Sequence, residues 1–314
     1  MNLLVSLKYL VALDDHRHFG RAALSCNVTQ PALSNALRAL EGHFDTAIVK
    51  RGRAFAGFTA EGERILASAR RILHEHERLQ QDLHSGAASP VGHLTLGAVP
   101  TAIPIAARFA AMLQARHAGL RPVVRSLSSS ELETGLESLA LDLALGYTER
   151  VDADRPQLRV IPQYDEHYFL LSRGAAGGAG LTRGAPLDWA EAGALPLCLL
   201  SAEMHNRTLM DRALRAACGR VVAPVIETNS ILTLALSVRA GAVHSIMPGA
   251  LVGTLRGDAG LVARPLRAPQ LVVPIAFMVH AGAQPSRALG AALAFAADPA
   301  WQEQVARHAG QLAG

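Results

Sequence analysis

Residues 19–44, FGRAALSCNVTQPALSNALRALEGHF, constrain the fold of this chain more than any other segment. They predict a short helix over 20–25, a tight turn, and a second helix over 29–44. This is the layout of a helix-turn-helix that reads DNA.

The side chains of this segment suit that geometry. The first helix offers small or apolar side chains to a crossing helix, namely Ala22, Ala23 and Leu24. Asn27 tolerates the left-handed backbone of a turn. Thr29 is a typical N-cap, and Pro31 falls in the first helical turn, where no backbone N–H is needed. Three leucines at helical spacing then predict a buried stripe: Leu33, Leu37 and Leu40.

Polar side chains lie off this leucine stripe and predict an edge that reads DNA. Gln, Asn and Arg side chains pair bidentately with base edges in the major groove. The predicted base-reading residues are Gln30, Pro31, Ser34, Asn35 and Arg38. On this segment alone, an ordinary helical hairpin with solvated polar residues is the alternative.

A basic stretch with two glycines follows over 48–58 and predicts a wing beside the DNA. The cations expected to meet phosphates or to enter the minor groove are Lys50, Arg51 and Arg53. A solvated basic loop is the alternative. Residues 1–60 hold seven Lys and Arg against four Asp and Glu, and the whole chain has a formal net charge of +4. This small excess suits a DNA-facing domain without proving one.

A long helix is predicted to begin after Thr59, with Glu61 and Glu63 in its first turns, where the helix dipole favours acidic groups. A seam at heptad spacing follows: Ile65, Ala69, Ile72, His76, Leu79 and Leu83. The seam either packs on its own domain or pairs with a second copy of the chain. Pairing is favoured because a helix predicted over 3–15 and the two helices of the helix-turn-helix already form a core.

The remaining chain predicts a separate α/β domain. Residues 85–92 have the composition of a linker, and strand and helix patterns alternate beyond them, as around a largely parallel sheet. The expected boundaries are 1–58 for the winged domain, 59–86 for the long helix, 87–92 for a hinge and 93–314 for the α/β domain. Two lobes are expected within it, one over about 93–162 and 271–314 and the other over about 163–270.

Two predicted strands end in hydroxyl residues that begin a helix. Thr101 follows the strand over 93–98, and Ser128, Ser129 and Ser130 follow the strand over 121–127. In open α/β sheets, ligands bind beyond the carboxyl ends of strands and beside helix N-termini, which suits a small anion. Plain helix capping is the alternative, because Ser and Thr are the usual caps.

Taken together, these segments resemble LysR-type transcriptional regulators over the whole chain. The specific matches are Phe19–Glu41, the Arg51 wing, Thr59–Gly62, Leu141–Ala144, and Ala240–Gly241 followed by Pro248. The resemblance implies a winged helix-turn-helix, a long linker helix that pairs two subunits, and a two-lobed effector-binding domain of the periplasmic-binding-protein type. It also implies dyad-symmetric double-stranded operator DNA as a partner and a tetramer made of two dimers.

The resemblance further implies where an effector binds. The matching positions are Thr101, Ser128 and Ser129 in the first lobe, and His205, Asn206, Arg207 and Asn229 across the cleft. Arg207 is either a partner for a carboxylate or a surface cation. As a whole the chain is similar to regulators of formate dehydrogenase operons, which implies formate or another small carboxylate as the effector.

The chain departs from the family at three places. Peroxide-sensing members carry a reactive cysteine pair around the position of His205, and this chain has no pair there, so a thiol switch of that kind is not expected. The usual Gly-x-Gly is here Gly241-Ala-Val-His244, so His244 either lines the cleft or lies beside it. Members usually carry Arg at the position of Asn35. Because Asn prefers adenine where Arg prefers guanine, the operator half-site is expected to differ.

Other function classes find less support in the sequence. The 314 residues contain no run near the roughly 18 to 20 apolar residues of a membrane span, and the first residues do not form a signal peptide, so a cytoplasmic protein without membrane partners is expected. The sparse cysteines, Cys26, Cys198 and Cys218, predict neither a disulfide framework nor a metal site. No cofactor or catalytic motif occurs. The alternatives are a two-lobed small-molecule-binding protein or an enzyme without DNA binding.

Overall fold

The computed structural model describes residues 2–50, 52, 55–84, 90–149, 157–174, 180–282 and 284–311. The chain divides into two compact units. The N-terminal unit is Met1–Gly86 with Ser138–Ala140, and the C-terminal unit is Ala87–Glu137 with Leu141–Gly314.

The described part of the N-terminal unit is helical. Its helices are α1 (Leu3–His16), α2 (Phe19–Ser25), α3 (Gln30–Phe44) and α4 (Ala60–His84). The three leucines of α3 are buried as predicted, and they share a core with Leu7, Leu10, Leu13, Ala22 and Ala23. The prediction that Leu24 is buried was wrong, since it is 76% exposed. The short α2 has one inward stripe, which Phe19, Ala22 and Ala23 occupy at helical spacing, and Leu24 lies outside it.

The turn between α2 and α3 confirms the local predictions. Asn27 has a left-handed backbone, with φ at 55°. The hydroxyl of Thr29 accepts a hydrogen bond from the Ala32 amide at 3.4 Å, so Thr29 caps α3, and Pro31 is its second residue. Local residue chemistry therefore fixes where α3 begins.

A short antiparallel bridge between Val49 and Phe58 forms the base of the wing. One carboxylate oxygen of Glu41, near the end of α3, accepts hydrogen bonds from the amides of Ile48 at 2.8 Å and Val49 at 3.1 Å. Helix α3 and the wing base are thus tied together. Two of the predicted wing cations, Arg51 and Arg53, lie outside the described residues.

The start of α4 is fastened to the wing base as well. Thr59 caps the helix by accepting a hydrogen bond from the Gly62 amide at 2.9 Å, and its hydroxyl donates to the Ala47 carbonyl at 2.6 Å. A Cβ added at Gly62 would overlap the carbonyl oxygen of Ile48. Only glycine allows α4 to approach the wing this closely.

Helix α4 carries the predicted seam, but its first part is covered by its own unit. Ala69 is fully buried in the core with α1, so the expectation that it lies in a seam between subunits does not hold. Ile65 is half-buried against the same core, and its place in the seam stays a prediction. Farther along, Ile72 is 44% exposed, Leu79 56% and Leu83 75%, while His76 is half-buried. The exposed part of the seam therefore begins near Ile72.

The C-terminal unit alternates strands and helices. Its strands are β1 (Gly92–Ala98), β2 (Leu120–Ser126), β3 (Leu143–Tyr147), β4 (Leu158–Arg173), β5 (Thr182–Arg183), β6 (Leu187–Asp188), β7 (Cys198–Leu200), β8 (Ile226–Thr228), β9 (Ser245–Pro248), β10 (Leu261–Arg267) and β11 (Val272–His280). Its helices are α5 (Ile103–Arg116), α6 (Ser129–Glu137), α7 (Trp189–Ala192), α8 (His205–Cys218), α9 (Ile231–Ala240), α10 (Gly249–Val252), α11 (Arg287–Ala296) and α12 (Pro299–His308).

Among the described residues, one continuous sheet joins two lobes through the long strand β4. Its main order is β2-β1-β3-β11-β4-β10-β5, with β6 on β10 and β9 on β4, while β7 and β8 pair separately. The first part of β4, Leu158–His167, pairs with β11, and the second part, Tyr168–Arg173, pairs with β9 and β10. We call the parts of the unit built on these two pairings lobe 1 and lobe 2.

Two features of this sheet differ from the sequence prediction. The lobe boundary expected near Pro162 lies instead between His167 and Tyr168, because one unbroken strand changes neighbours there. The sheet is also mixed. Strands β1, β2 and β3 are parallel, whereas β11 runs antiparallel to β3 and β4. A strand shared by two lobes has no boundary signal in its own sequence. Within the described residues, no helix is long and apolar enough to span a bilayer.

Candidate functional site

The first candidate site is the outer edge of α3, which we call the recognition edge: Gln30, Pro31, Ser34, Asn35 and Arg38. Four of these residues are exposed and Ser34 is half-buried. They lie opposite Leu33, Leu37 and Leu40, which anchor the helix in the core. The edge is therefore rigidly supported and open to a partner, and Lys50 is exposed on the wing base nearby in the chain.

Two residues of the recognition edge are bonded to each other. One terminal nitrogen of Arg38 donates to the side-chain oxygen of Asn35 at 2.9 Å, one helical turn away. The bond restrains an otherwise mobile guanidinium, whose fork of N–H groups matches the two acceptors of guanine. Asn35 thereby orients Arg38, a role that the sequence prediction of an adenine-reading Asn35 did not include.

The second candidate site is a cavity of about 250 Å³ in the C-terminal unit. It is lined by Val99, Pro100, Thr101, Ser128, Ser129, Ser130, Tyr147, Glu203, Met204, His205, Asn206 and Thr208. These residues lie at the ends of β1 and β3 and at the starts of α6 and α8. The structure thus brings together five predicted effector residues: Thr101, Ser128, Ser129, His205 and Asn206.

The start of α6, at one side of the cavity, already holds a carboxylate. The amide and the hydroxyl of Ser128 both donate to one oxygen of Glu131, at 2.8 and 2.7 Å, and the Glu131 amide donates back to the Ser128 hydroxyl at 3.3 Å. This is a capping box. It provides the helix cap and places a negative charge where a small anion was expected. The hydroxyl oxygen of Ser129 is buried and has no hydrogen-bond partner within the described part of the chain.

The floor of the cavity is a buried polar network. The hydroxyls of Thr101 and Tyr147 are 2.7 Å apart. The side-chain nitrogen of Asn206 donates to the Tyr147 hydroxyl at 3.1 Å and to the Tyr168 hydroxyl at 3.0 Å. The ring of His205 contacts the ring of Tyr147 edge-on, with centroids 4.9 Å apart, and its Nε2 is 4.0 Å from a Glu149 carboxylate oxygen.

Two predicted effector residues are directed elsewhere. The guanidinium of Arg207 is buried against its own lobe, where it donates to the Leu200 carbonyl at 2.7 Å, to Asp211 at 2.8 Å and to Glu227 at 3.2 Å. It is neither a free partner for a carboxylate nor a surface cation. Asn229 is exposed beyond β8 and is not part of the cavity lining. The expectation for Arg207 fails because its guanidinium is held by its own lobe, and the expectation for Asn229 fails because it lies after β8, outside the cavity lining.

His244 and the cysteines also lie apart from the cavity lining. The Nδ1 atom of His244 is 2.8 Å from the Ser172 hydroxyl, and burial lowers the pKa of the imidazole. Cys198 is buried in β7, and burial raises the pKa of its thiol. The cavity lining contains no cysteine.

Sequence reasoning missed part of the cavity lining, namely Tyr147, Glu203, Met204 and Thr208. Of these, Tyr147 is the one that joins the buried polar network. Burial raises the pKa of its hydroxyl above the ordinary value, against the opposing effect of hydrogen bonds from Thr101 and Asn206. The available signal was its place at the end of a buried strand, where the same argument had selected Thr101 and Ser128. Its hydroxyl stays protonated at neutral pH and can donate or accept.

Comparison with family models covers most of the chain. Residues 4–63 match the model described as bacterial regulatory helix-turn-helix protein, lysR family. Residues 87–300 match the model described as LysR substrate binding domain.

Curated proteins match over different lengths. An SDS degradation transcriptional activation protein from a Pseudomonas species is 36% identical over 165 residues, which is 52% of each chain, so the match spans about half of that relative. The DNA-binding transcriptional dual regulator OxyR of Escherichia coli K12 is 27% identical over 280 residues, covering 84% of this chain and 85% of the relative.

Solved structures share the fold. A full-length OxyR variant from Pseudomonas aeruginosa has a TM-score of 0.68 at 23% identity, covering 93% of this chain and 96% of that chain. Full-length CbnR complexed with its target DNA has a TM-score of 0.63 at 20% identity, covering 93% and 98%. At these identities the likeness is one of fold.

Proposed function

Because the chain belongs to the LysR family of bacterial helix-turn-helix regulators, we propose that it is a sequence-specific DNA-binding transcriptional regulator controlled by a small effector. The observation that carries the proposal is the exposed polar recognition edge on a helix anchored by three buried leucines. Side chains of these types on such a helix suit the major groove. The family is one of regulators rather than of enzymes.

In this proposal Gln30, Pro31, Ser34 and Arg38 read bases, and Asn35 reads bases or holds Arg38. The bond between Asn35 and Arg38 favours a guanine contact by the pair. Lys50, Arg51 and Arg53 are proposed to neutralise phosphates beside the reading helix, where they would fix position rather than sequence. The two operator half-sites would be related by a dyad, as the pairing of two identical chains requires.

The exposed stripe of α4 is the proposed contact between two copies. Ile72, Leu79 and Leu83 leave apolar surface in water on one face of a 25-residue helix, with His76 between them. Pairing two such stripes removes this surface from water on both helices at once. Two dimers are proposed to form a tetramer that engages adjacent sites on the DNA and bends it.

The effector is proposed to bind in the cavity, where it would contact Thr101, Ser128, Ser129, His205 and Asn206. A small polar molecule with both donor and acceptor groups suits this lining. Formate, the carboxylate expected from sequence, is less favoured for two reasons. Glu131 already occupies the start of α6, and Arg207 is committed to its own lobe.

The peroxide-inducible relatives suggest peroxide as a second ligand, which the buried Cys198 and the cysteine-free cavity lining do not favour. Several relatives are named hydrogen peroxide-inducible genes activators, at 34% identity over 140 residues. Thiol chemistry needs an accessible thiolate. Here Cys198 is buried with a raised pKa, and the cavity lining contains polar hydroxyl and amide groups instead. Reversible binding, without oxidation of the protein, is therefore proposed.

Gel retardation tests the DNA-binding proposal. The full-length protein is expected to shift the DNA upstream of its own gene at concentrations that leave scrambled DNA of equal length unshifted. Arg38→Ala should remove that preference. If wild-type protein retards both DNAs equally, the regulator proposal fails and a two-lobed binding protein becomes the better account.

Calorimetric titration tests the effector proposal. Formate, acetate and oxalate serve as carboxylates, and glycerol and urea serve as uncharged molecules with donor and acceptor groups. Saturable heat from an uncharged molecule, lost in Thr101→Val, would support the cavity and its preference. Saturable heat from formate, lost in the same variant, would support the cavity and overturn the preference.

A further inference from the structure

A chain of side-chain hydrogen bonds beside the cavity joins the two lobes. It consists of Thr101, Tyr147, Asn206 and Tyr168, and we call it the interlobe clasp. Its three contacts are 2.7 Å from Thr101 to Tyr147, 3.1 Å from Asn206 to Tyr147, and 3.0 Å from Asn206 to Tyr168. All four residues are buried.

The clasp spans the change of pairing partners in β4. Tyr147 is the last residue of β3 in lobe 1, whereas Tyr168 is the first residue of β4 that pairs with β9 in lobe 2. Asn206 is the second residue of α8 in lobe 2. A single amide nitrogen is therefore bonded to one hydroxyl from each lobe, so its position depends on how the lobes face each other.

The same amide also belongs to the cavity. Its second polar atom, the side-chain oxygen, is buried and has no partner among the described residues, although Asn206 lines the cavity. A buried polar atom left unpaired destabilises the fold, because the atom has lost its hydrogen bonds to water. If the oxygen and nitrogen of the amide exchange places, one atom still bridges both tyrosines and the other is still unpaired. The bridge does not depend on that assignment.

We propose that Asn206 is the positioning residue through which occupancy of the cavity changes the closure of the two lobes. A ligand group that bonds the unpaired amide atom fixes the side chain in its bridging position, which strengthens the contacts to Tyr147 and Tyr168. Without such a ligand, only one of the two polar atoms of the amide makes hydrogen bonds. Because a hydrogen bond in such a network reinforces the next one, the ligand and the closed arrangement favour each other. The hydrogen bonds of the clasp can be tested without knowing the ligand, whereas their effect on DNA binding rests on the proposed function.

Removing one hydroxyl at a time tests the clasp. Tyr168→Phe deletes a bonded hydroxyl that is outside the cavity lining. Tyr164→Phe is the matched control, because Tyr164 lies on the same strand and its buried hydroxyl has no partner in the part of the chain that the structure describes. Hydrogen exchange of the full-length protein is read at the amides of Ala102 in lobe 1 and Arg207 in lobe 2, each held by a single backbone bond at 2.9 Å.

Tyr168→Phe is expected to speed exchange about fivefold at both amides, the factor that corresponds to about 1 kcal/mol for one net hydrogen bond. Tyr164→Phe should leave both unchanged. Faster exchange in lobe 2 alone, or equal effects of the two variants, would overturn the clasp.

Non-additivity separates a linked clasp from two local contacts. Once Asn206→Leu has removed the bridge, Tyr168→Phe should add no further change, whereas Tyr147→Phe should add only the loss of the bond between Tyr147 and Thr101. If Asn206→Leu does not fold, the double variant of the two tyrosines provides the same comparison, and its effect should be smaller than the sum of the single effects. Additive effects contradict the proposal.

DNA binding tests the regulatory consequence. The wild-type protein first selects its preferred sites from random duplexes, and protection of those sites from nuclease is then compared between variants. Tyr168→Phe should change the length or affinity of the protected region, and Tyr164→Phe should not. If hydrogen exchange changes but nuclease protection of the DNA does not, the clasp has a structural role only and the regulatory proposal fails. Failure of the wild-type protein to select any site would refute the proposed function and leave the exchange result to decide the clasp.

Discussion

The recognition edge and the cavity differ in how far apart their residues lie along the chain. The edge occupies nine consecutive residues of one helix, Gln30 to Arg38, whereas the cavity gathers residues from Val99 to Thr208 on several elements. Every feature that presents the edge is local, including the turn at Asn27 and the cap at Thr29. A surface built from one helix can be read from periodicity, but a cavity depends on how strands and helices meet.

The largest expected effect tests the core at the lobe junction. Burial raises the pKa of the Glu166 carboxyl from 4.5 to about 8, although amides such as that of Ala250, at 3.3 Å, oppose the shift. As pH rises from about 4.5 to 8, the unfolded chain loses this proton while the folded chain keeps it, so the free energy of unfolding falls and then levels off. Glu166→Gln should lack this loss and exceed wild type at about pH 9 by on the order of 5 kcal/mol, at about 1.4 kcal/mol per pKa unit.

Tryptophan fluorescence during urea unfolding of the full-length protein measures this difference. Both tryptophans of the chain, Trp189 and Trp301, are buried in the C-terminal unit and report on its unfolding alone. At about pH 5 the wild type and the variant should converge. Parallel stability curves across this pH range would contradict the raised pKa.

A smaller effect is expected where α4 meets the wing. Gly62→Ala would force a Cβ against the Ile48 carbonyl and should destabilise the N-terminal unit by about 3 kcal/mol, because backbone atoms cannot yield as a flexible side chain can. Gly42→Ala is the matched control. It also lies in a helix but has nothing within 4 Å of the added Cβ, so it should stabilise by about 1 kcal/mol. Thermal unfolding followed by circular dichroism measures both changes in stability. If the two substitutions change the stability in the same direction, the close approach of α4 to the wing is refuted.

The exposed stripe of α4 gives the third prediction. Leu79→Ser should weaken association of the full-length chain by about 2 kcal/mol, or roughly thirtyfold in the dissociation constant, because it removes a large apolar side chain from each helix of a pair. Glu77→Ser, on the exposed side of the same turn, should change association little. Sedimentation equilibrium measures both constants, and a similar loss in the two variants would remove α4 as the seam.

The smallest effect compares the two caps. Thr29→Ala and Ser128→Ala each remove a side-chain cap, and each should cost about 1 kcal/mol in the unit that contains it. Only Thr29→Ala should also weaken operator binding, because it loosens the first turn of the reading helix. A loss of operator binding in Ser128→Ala equal to that in Thr29→Ala would contradict a specific role of the Thr29 cap in presenting the reading helix.

These cases explain how much the sequence could predict. The bounds of α3, its cap and its buried leucines follow from turn chemistry and helical period, and they are as predicted. Thr101 and Ser128 follow from the rule for strand ends, and the structure brings them together at one cavity. The direction of Arg207, the burial of Ala69 and the role of Tyr147 depend on distant elements, which no local pattern encodes. The lobe boundary within β4 could not be predicted either, because it depends on which strands pair with each part of β4.

The specificity ratio of Arg38→Ala tests the central claim most directly. Affinities of the full-length protein are measured at one salt concentration for its selected operator and for random duplex DNA, with Arg71→Ala on α4 as the control for lost charge. We expect Arg38→Ala to lose about 1 to 3 kcal/mol on the operator, roughly fivefold to 150-fold in affinity, with little change on random DNA. Equal losses on both DNAs would contradict base reading by the recognition edge.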